Sequence, residues 1–74
     1  MPKLPTLSGK SVVKAFEREG WTKARQRGSH IIMVKDGSMA TLSVPNHQEV
    51  AKGTLRSLIR ASELSVEEFI KLTK

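Results

Sequence analysis

The stretch Arg25–Pro45, RQRGSHIIMVKDGSMATLSVP, decides the fold. Two turn signals divide it. Gly28-Ser29 makes the first turn. Asp36-Gly37 is a hairpin signal, because both positions tolerate φ > 0. Between them, His30 to Lys35 is rich in β-branched residues and reads as a strand. Met39 to Val44 reads as the next strand. It alternates, with Ala40, Leu42 and Val44 inward and Thr41 and Ser43 outward, and Pro45 ends it. Upstream, Trp21 to Gln26 is the first strand of the set. Its register stays open, because polar residues fall on both faces. The inward face of the middle strand also stays open. Either Ile31 and Met33, or His30, Ile32 and Val34, pack on the core.

Helical patterns flank these strands. Ser8 can cap a helix over Gly9–Glu19, with Val12, Val13 and Phe16 on one face. Gly20 terminates it, and Trp21 is expected to staple it to the sheet. Residues 1–7 hold two prolines and read as an extended arm. A loop from Asn46 to Lys52 leads to a helix from Gly53 or Thr54 to Ala61, with Leu55, Leu58 and Ile59 as its buried stripe. Ser65-x-x-Glu68 is a capping box. It opens a short last helix whose apolar face includes Val66, Phe69 and Ile70. The order is α-β-β-β-α-α in a single domain, 1–74. An antiparallel meander with helices on one face is a two-layer α+β domain. The other sheet face is left free.

Bulk properties narrow the chemistry. A chain of 74 residues buries only about 60% of its unfolded surface, so the core is thin. There is no cysteine, which removes disulfide staples and Cys-type zinc sites. The longest apolar run, Ile31–Val34, is too short for a membrane span, and no signal peptide is evident. The expectation is a soluble cytoplasmic protein. Thirteen Lys and Arg face seven Asp and Glu, for a net charge of +6 and a pI near 10.2. That excess suggests a polyanionic partner. From Thr22 to Lys35 there are four cations and no acid.

Few groups here can carry chemistry. No carboxylate pair is spaced for a metal site or for glycoside hydrolysis. There is no zinc-protease helix motif, phosphate-cradling glycine loop or nucleophile elbow. No metal and no cofactor are expected. His30 and His47 remain. Histidine, with an unperturbed pKa of about 6.5, exchanges protons near neutrality. RNA carries its own nucleophile, the 2′-hydroxyl. A base that removes its proton lets the oxygen attack the adjacent phosphorus, with cations to hold the developing charge. Arg25, Arg27 and Lys35 flank His30 in sequence, and Gly28 permits close backbone approach. Lys52-Gly53-Thr54, with Arg56 in the following turn, could hold a phosphate at a helix start, or Thr54 or Gly53 could simply cap that helix.

Several stretches together resemble one family. They are Leu7-Ser8-Gly9-Lys10, Gly20-Trp21, Arg25-Gln26-x-Gly28-Ser29-His30, Val44-Pro45-x-His47 and Lys52-Gly53-Thr54-Leu55-Arg56-Ser57-Leu58-Ile59-Arg60. Their order and spacing are similar to those of the HicA (YcfA-like) toxins, from about Leu4 to Phe69. The resemblance implies a fold like a double-stranded RNA-binding domain, α-β-β-β-α, with a short extra C-terminal helix. It also implies an mRNA interferase that cleaves RNA until a HicB-type antitoxin masks it. The histidine of the Gly-Ser-His element falls on His30 and is implied to be catalytic. Many members carry an aromatic or a second histidine next, where this chain has Ile31. His47 matches a second histidine, with a supporting role, and Ser29 shapes the approach to His30. The RNA contacts are assigned to Arg25, Arg27, Gly28, Lys35, Lys52 and Arg56.

Two other readings compete. A domain of this fold can grip RNA without cutting it. Residues Gly53 to Phe69 also read as a helix-turn-helix, but Glu67 and Glu68 would then meet DNA phosphates at the start of the recognition helix, which disfavours it.

Overall fold

The computed structural model describes residues 3–74; Met1 and Pro2, the start of the expected arm, lie outside them. The order is α1 (Gly9–Arg18), β1 (Thr22–Arg27), β2 (His30–Val34), β3 (Leu42–Pro45), α2 (Lys52–Ala61) and α3 (Val66–Leu72). The strands form one antiparallel sheet in the order β1-β2-β3. No helix among the described residues is long and apolar enough to cross a membrane.

Helix α1 starts where Ser8 Oγ accepts the Ser11 N–H at 3.2 Å. It ends in a Schellman closure. Trp21 N–H donates to Phe16 O and Gly20 N–H to Glu17 O, both at 3.1 Å, with Gly20 at φ +102°. This closure sets Trp21 edge-on to Phe16, with centroids 6.3 Å apart. Phe69 of α3 packs on the other side of Phe16 at 5.1 Å. All three rings are buried, so one aromatic contact joins α1, the entry to the sheet and α3. The Trp21 indole N–H has no hydrogen-bond partner.

The core lies on one side of the sheet. Ile31, Met33, Leu42 and Val44 join Val12, Val13, Phe16, Leu55 and Ile59 in a single cluster. The middle strand therefore turns Ile31 and Met33 inward, and His30, Ile32 and Val34 fall on the uncovered face.

Several boundaries differ from the sequence reading. β1 begins at Thr22, because Trp21 is drawn into the core by the helix closure. A bulge between Lys23 and Arg25 settles its register. β3 begins at Leu42 instead of Met39, and the connection from β2 is a seven-residue loop rather than a tight hairpin. Within that loop Ser38 N–H closes a turn on Lys35 O at 3.1 Å. Only Gly37 has positive φ there; Asp36 does not. Pro45 closes β3 from within, which an edge strand tolerates. α2 starts at Lys52 behind Ala51, with no side-chain cap, so neither Thr54 nor Gly53 caps it. α2 ends in a second Schellman closure, Leu64 N–H to Ile59 O and Glu63 N–H to Arg60 O. Glu63 takes the left-handed position usually given to glycine, at φ +65°, a mildly strained choice.

The capping box at α3 is present. Ser65 N–H donates to Glu68 Oε1 at 2.9 Å, and Glu68 N–H to Ser65 Oγ at 3.1 Å. The Ser65 main-chain N–H, with its hydroxyl and Lys71 assisting, holds the Glu68 carboxyl below the usual carboxylate range.

A carboxylate with a lowered folded pKa contributes stability above its unfolded pKa and loses it as pH falls through the folded one. The stability of Glu68→Gln, measured by urea unfolding, should therefore differ from wild type near neutrality and converge with it in acid. Gly9 supports a second prediction. A Cβ there would lie 2.8 Å from Asn46 Cα and still closer to the Pro45 carbonyl. Gly9→Ala should destabilise the fold by about 1–3 kcal/mol, as overpacking does, with a lower urea midpoint and an unchanged slope.

Candidate functional site

The uncovered face of the sheet is laid out by its register. Residues directly opposite in neighbouring strands share a face. Arg27, His30 and Pro45 form one row, and Arg25, Ile32 and Ser43 the next. Thr22 pairs with Val34 in a third. Arg25, Arg27, His30, Val34 and Ser43 are all exposed, whereas Ile32 is only 9% exposed although no helix packs over it. Long Arg stems can cover apolar surface while their heads stay in water, and Arg25 stands directly beside Ile32.

His30 is held at one end of this face by three local features. Gly28 and Ser29 form the two-residue turn between β1 and β2. Gly28 has φ +57° and Ser29 does not have positive φ, the pattern of a type II′ hairpin. Gln26 Nε2 donates to Gly28 O at 3.0 Å across the turn. Asn46 N–H donates to Ser29 O at 2.6 Å, so the turn is tied to the segment after β3. That segment is itself pinned to the start of α1, where Gly9 N–H donates to His47 O at 2.8 Å. Nothing lies within 4 Å of a Cβ built on Gly28, so the approach to His30 over the turn is open.

The structure gathers part of the predicted set. Arg25 and Arg27 share the face of His30, and Gly28 and Ser29 are next to it. His47 lies on the loop that follows β3 at the same end of the sheet, exposed beside Ser8, Lys10, Asn46 and Gln48. The other three cations lie elsewhere. Lys35 follows the far end of β2 and pairs with Glu19, Nζ to Oε1 3.7 Å. Lys52 opens α2. Arg56 lines the groove between α2 and α3 with Arg60, Leu64 and Val66. Among the described residues no three of His, Asp and Glu converge as a metal-ligating group.

Two features of the face escaped the sequence reading. The bulge at Ala24 gives no residue-level signal, yet it sends Lys23 to the opposite side of the sheet from Arg25. Pro45 looked like a strand breaker and is instead the cross-strand neighbour of His30. Chemically the face offers one exposed imidazole, two guanidinium groups that can each hold a phosphate through paired N–H donors, and a small apolar patch.

The comparisons with known proteins bear on the family and the fold. A family model described as the HicA toxin of bacterial toxin–antitoxin systems matches residues 9–64. A solved toxin–antitoxin complex from Streptococcus pneumoniae contains a similar chain, 34% identical. The match covers 78% of this chain and 98% of that one, with a TM-score of 0.70. Among curated proteins nothing matches. The family model spans most of the chain, from α1 through α2, and this chain belongs to the HicA toxin family.

Proposed function

We propose that this toxin is an endoribonuclease whose catalytic group is His30. The observation that carries the reading is the exposed imidazole at the end of an uncovered sheet face, in the same row as Arg27 and one row from Arg25. In the proposed reaction the His30 ring takes the proton of an RNA 2′-hydroxyl. The 2′-oxygen bonds to phosphorus, the bond from phosphorus to the 5′-oxygen breaks, and a 2′,3′-cyclic phosphate forms. Arg27 and Arg25 hold the non-bridging oxygens as negative charge builds on them. The departing 5′-oxygen needs a proton. His47 is the histidine available for that supporting role, with Ser29 shaping the turn. Gly28 keeps the approach clear, and Lys52 and Arg56 add positive potential further out, whereas Lys35 is balanced by Glu19.

The partner expected for this chain is a HicB-type antitoxin, given the family and the toxin–antitoxin complex among its structural neighbours. The same open face suits it. The exposed Val34 gives a small apolar contact, and the arginines call for acidic residues opposite them. Antitoxin and RNA would then exclude one another. The site of action is the cytoplasm, where message is found.

One observation favours a second reading, a module that binds RNA without cutting it. Among the described residues nothing hydrogen-bonds the His30 ring, whereas catalytic bases are commonly oriented by a partner.

The test is cleavage of a long RNA in EDTA by wild type and His30→Ala, with end-group analysis. The proposal expects cyclic phosphate ends from wild type and a loss of at least about 10²-fold in rate for the variant. Intact RNA with both proteins, despite equal binding, would move the assignment to the binding module. Equal cutting by both would remove His30 from the chemistry.

A further inference from the structure

The groove between α1 and the sheet is a second cationic surface, on the opposite side of β1 from His30. Lys10 and Lys14 stand one helical turn apart on α1, and Lys23 faces them from β1. Gln26 and Asn46 line the same groove, and Val13 and Ile31, both nearly buried, form its floor. Glu17 is the one acidic group lining it. No ion pair ties any of the three lysines to an acid among the described residues; the only such pair there is Lys35 with Glu19. Lys23 is in the groove because of the bulge: its partner is the inward Met33, while Arg25 partners the outward Ile32.

β1 is an edge strand, exposed along its whole length. Arg25 and Arg27 project from one side of it, and Lys23 and Gln26 from the other. The groove also reaches Gln26 and Asn46, the residues that brace the His30 turn. We infer that the Lys10–Lys14–Lys23 groove binds the flank of the RNA strand whose scissile phosphate lies at His30, the strand passing over the β1 edge from one face to the other. The inference rests on the endoribonuclease reading. An RNA flank fits better than an acidic protein surface because the cations continue around the edge strand from the arginines, so that one phosphate backbone can follow them.

The experiment compares wild type, Lys10→Gln/Lys14→Gln/Lys23→Gln, the charge-preserving Lys10→Arg/Lys14→Arg/Lys23→Arg, and a control that removes equal charge from α2 and the C-terminal segment, Arg60→Gln/Lys71→Gln/Lys74→Gln. Each is titrated with a labelled single-stranded RNA carrying 2′-O-methyl groups, which cannot be cut, over a range of salt. Kinetics follow with a long RNA and with a dinucleotide too short to reach the groove. Loss of three phosphate contacts should make the slope of log affinity against log salt shallower by about 2 and weaken binding by about tenfold or more. The Arg variant and the control should stay near wild type in slope. For the long RNA, KM should rise in the Gln variant with kcat held, and dinucleotide cleavage should not change. A Gln variant with the wild-type slope and KM would overturn the inference and leave the groove to an acidic protein partner, with the His30 reading intact. A wild type that neither binds nor cuts RNA would overturn both.

Discussion

The ring of Phe16 is fully buried, with Trp21 edge-on to one side and Phe69 tilted against the other. Through it α1 is fixed to the sheet entry and α3 is fixed to α1. Replacing such a ring with a methyl group costs on the order of 3–5 kcal/mol. A domain of this length has only about 4–11 kcal/mol of stability in total. The Arg18 guanidinium adds a polar clamp at the same junction, donating to the main-chain oxygens of Leu72 and Lys74 at 2.8 and 2.6 Å. With so few large apolar side chains, the molecule builds one core, and that core covers one face of the sheet. The uncovered face is a consequence of size, and it is where the histidine and two arginines stand.

The positions of those groups follow from close backbone contacts rather than from side-chain networks. Gly9 lets α1 sit directly against Pro45 and Asn46. Asn46 in turn fixes Ser29, and His47 fixes Gly9, through main-chain hydrogen bonds. The end of β3, the start of α1 and the His30 turn are therefore one braced unit. Of these contacts the one at Gly9 constrains residue type, because a Cβ there would meet Pro45 and Asn46; the others use main-chain atoms that almost any residue supplies.

Much of this was legible in the sequence. Element order, the two-layer class, the capping box, the Gly20 stop and the role of Trp21 all follow from local signals: cap residues, a left-handed glycine, helical spacing of apolar residues. What was not legible depends on pairing between distant segments. The direction of Ile31 and Met33 against Ile32 could not be chosen from an apolar run without alternation. The bulge that parts Lys23 from Arg25 has no composition cue. The ion pair that occupies Lys35 is made with Glu19, at the end of α1, and is invisible along the chain. His30 stands out along the chain because it combines an uncommon residue type with neighbouring cations. The lysine groove was missed because its members come from two elements brought together only by folding.

In the proposed function RNA meets this protein on the open sheet face, at the row containing Arg27 and His30. NMR titration of the isotopically labelled protein with a 2′-O-methyl RNA tests it most directly, because the complex can form and cannot react. Shift changes and line broadening are expected at Arg25, Arg27, Gly28, Ser29 and His30, with the amides of Leu55, Leu58 and Phe69 unmoved. Perturbations confined to the α2–α3 groove around Arg56 and Arg60, with His30 unaffected, would contradict it.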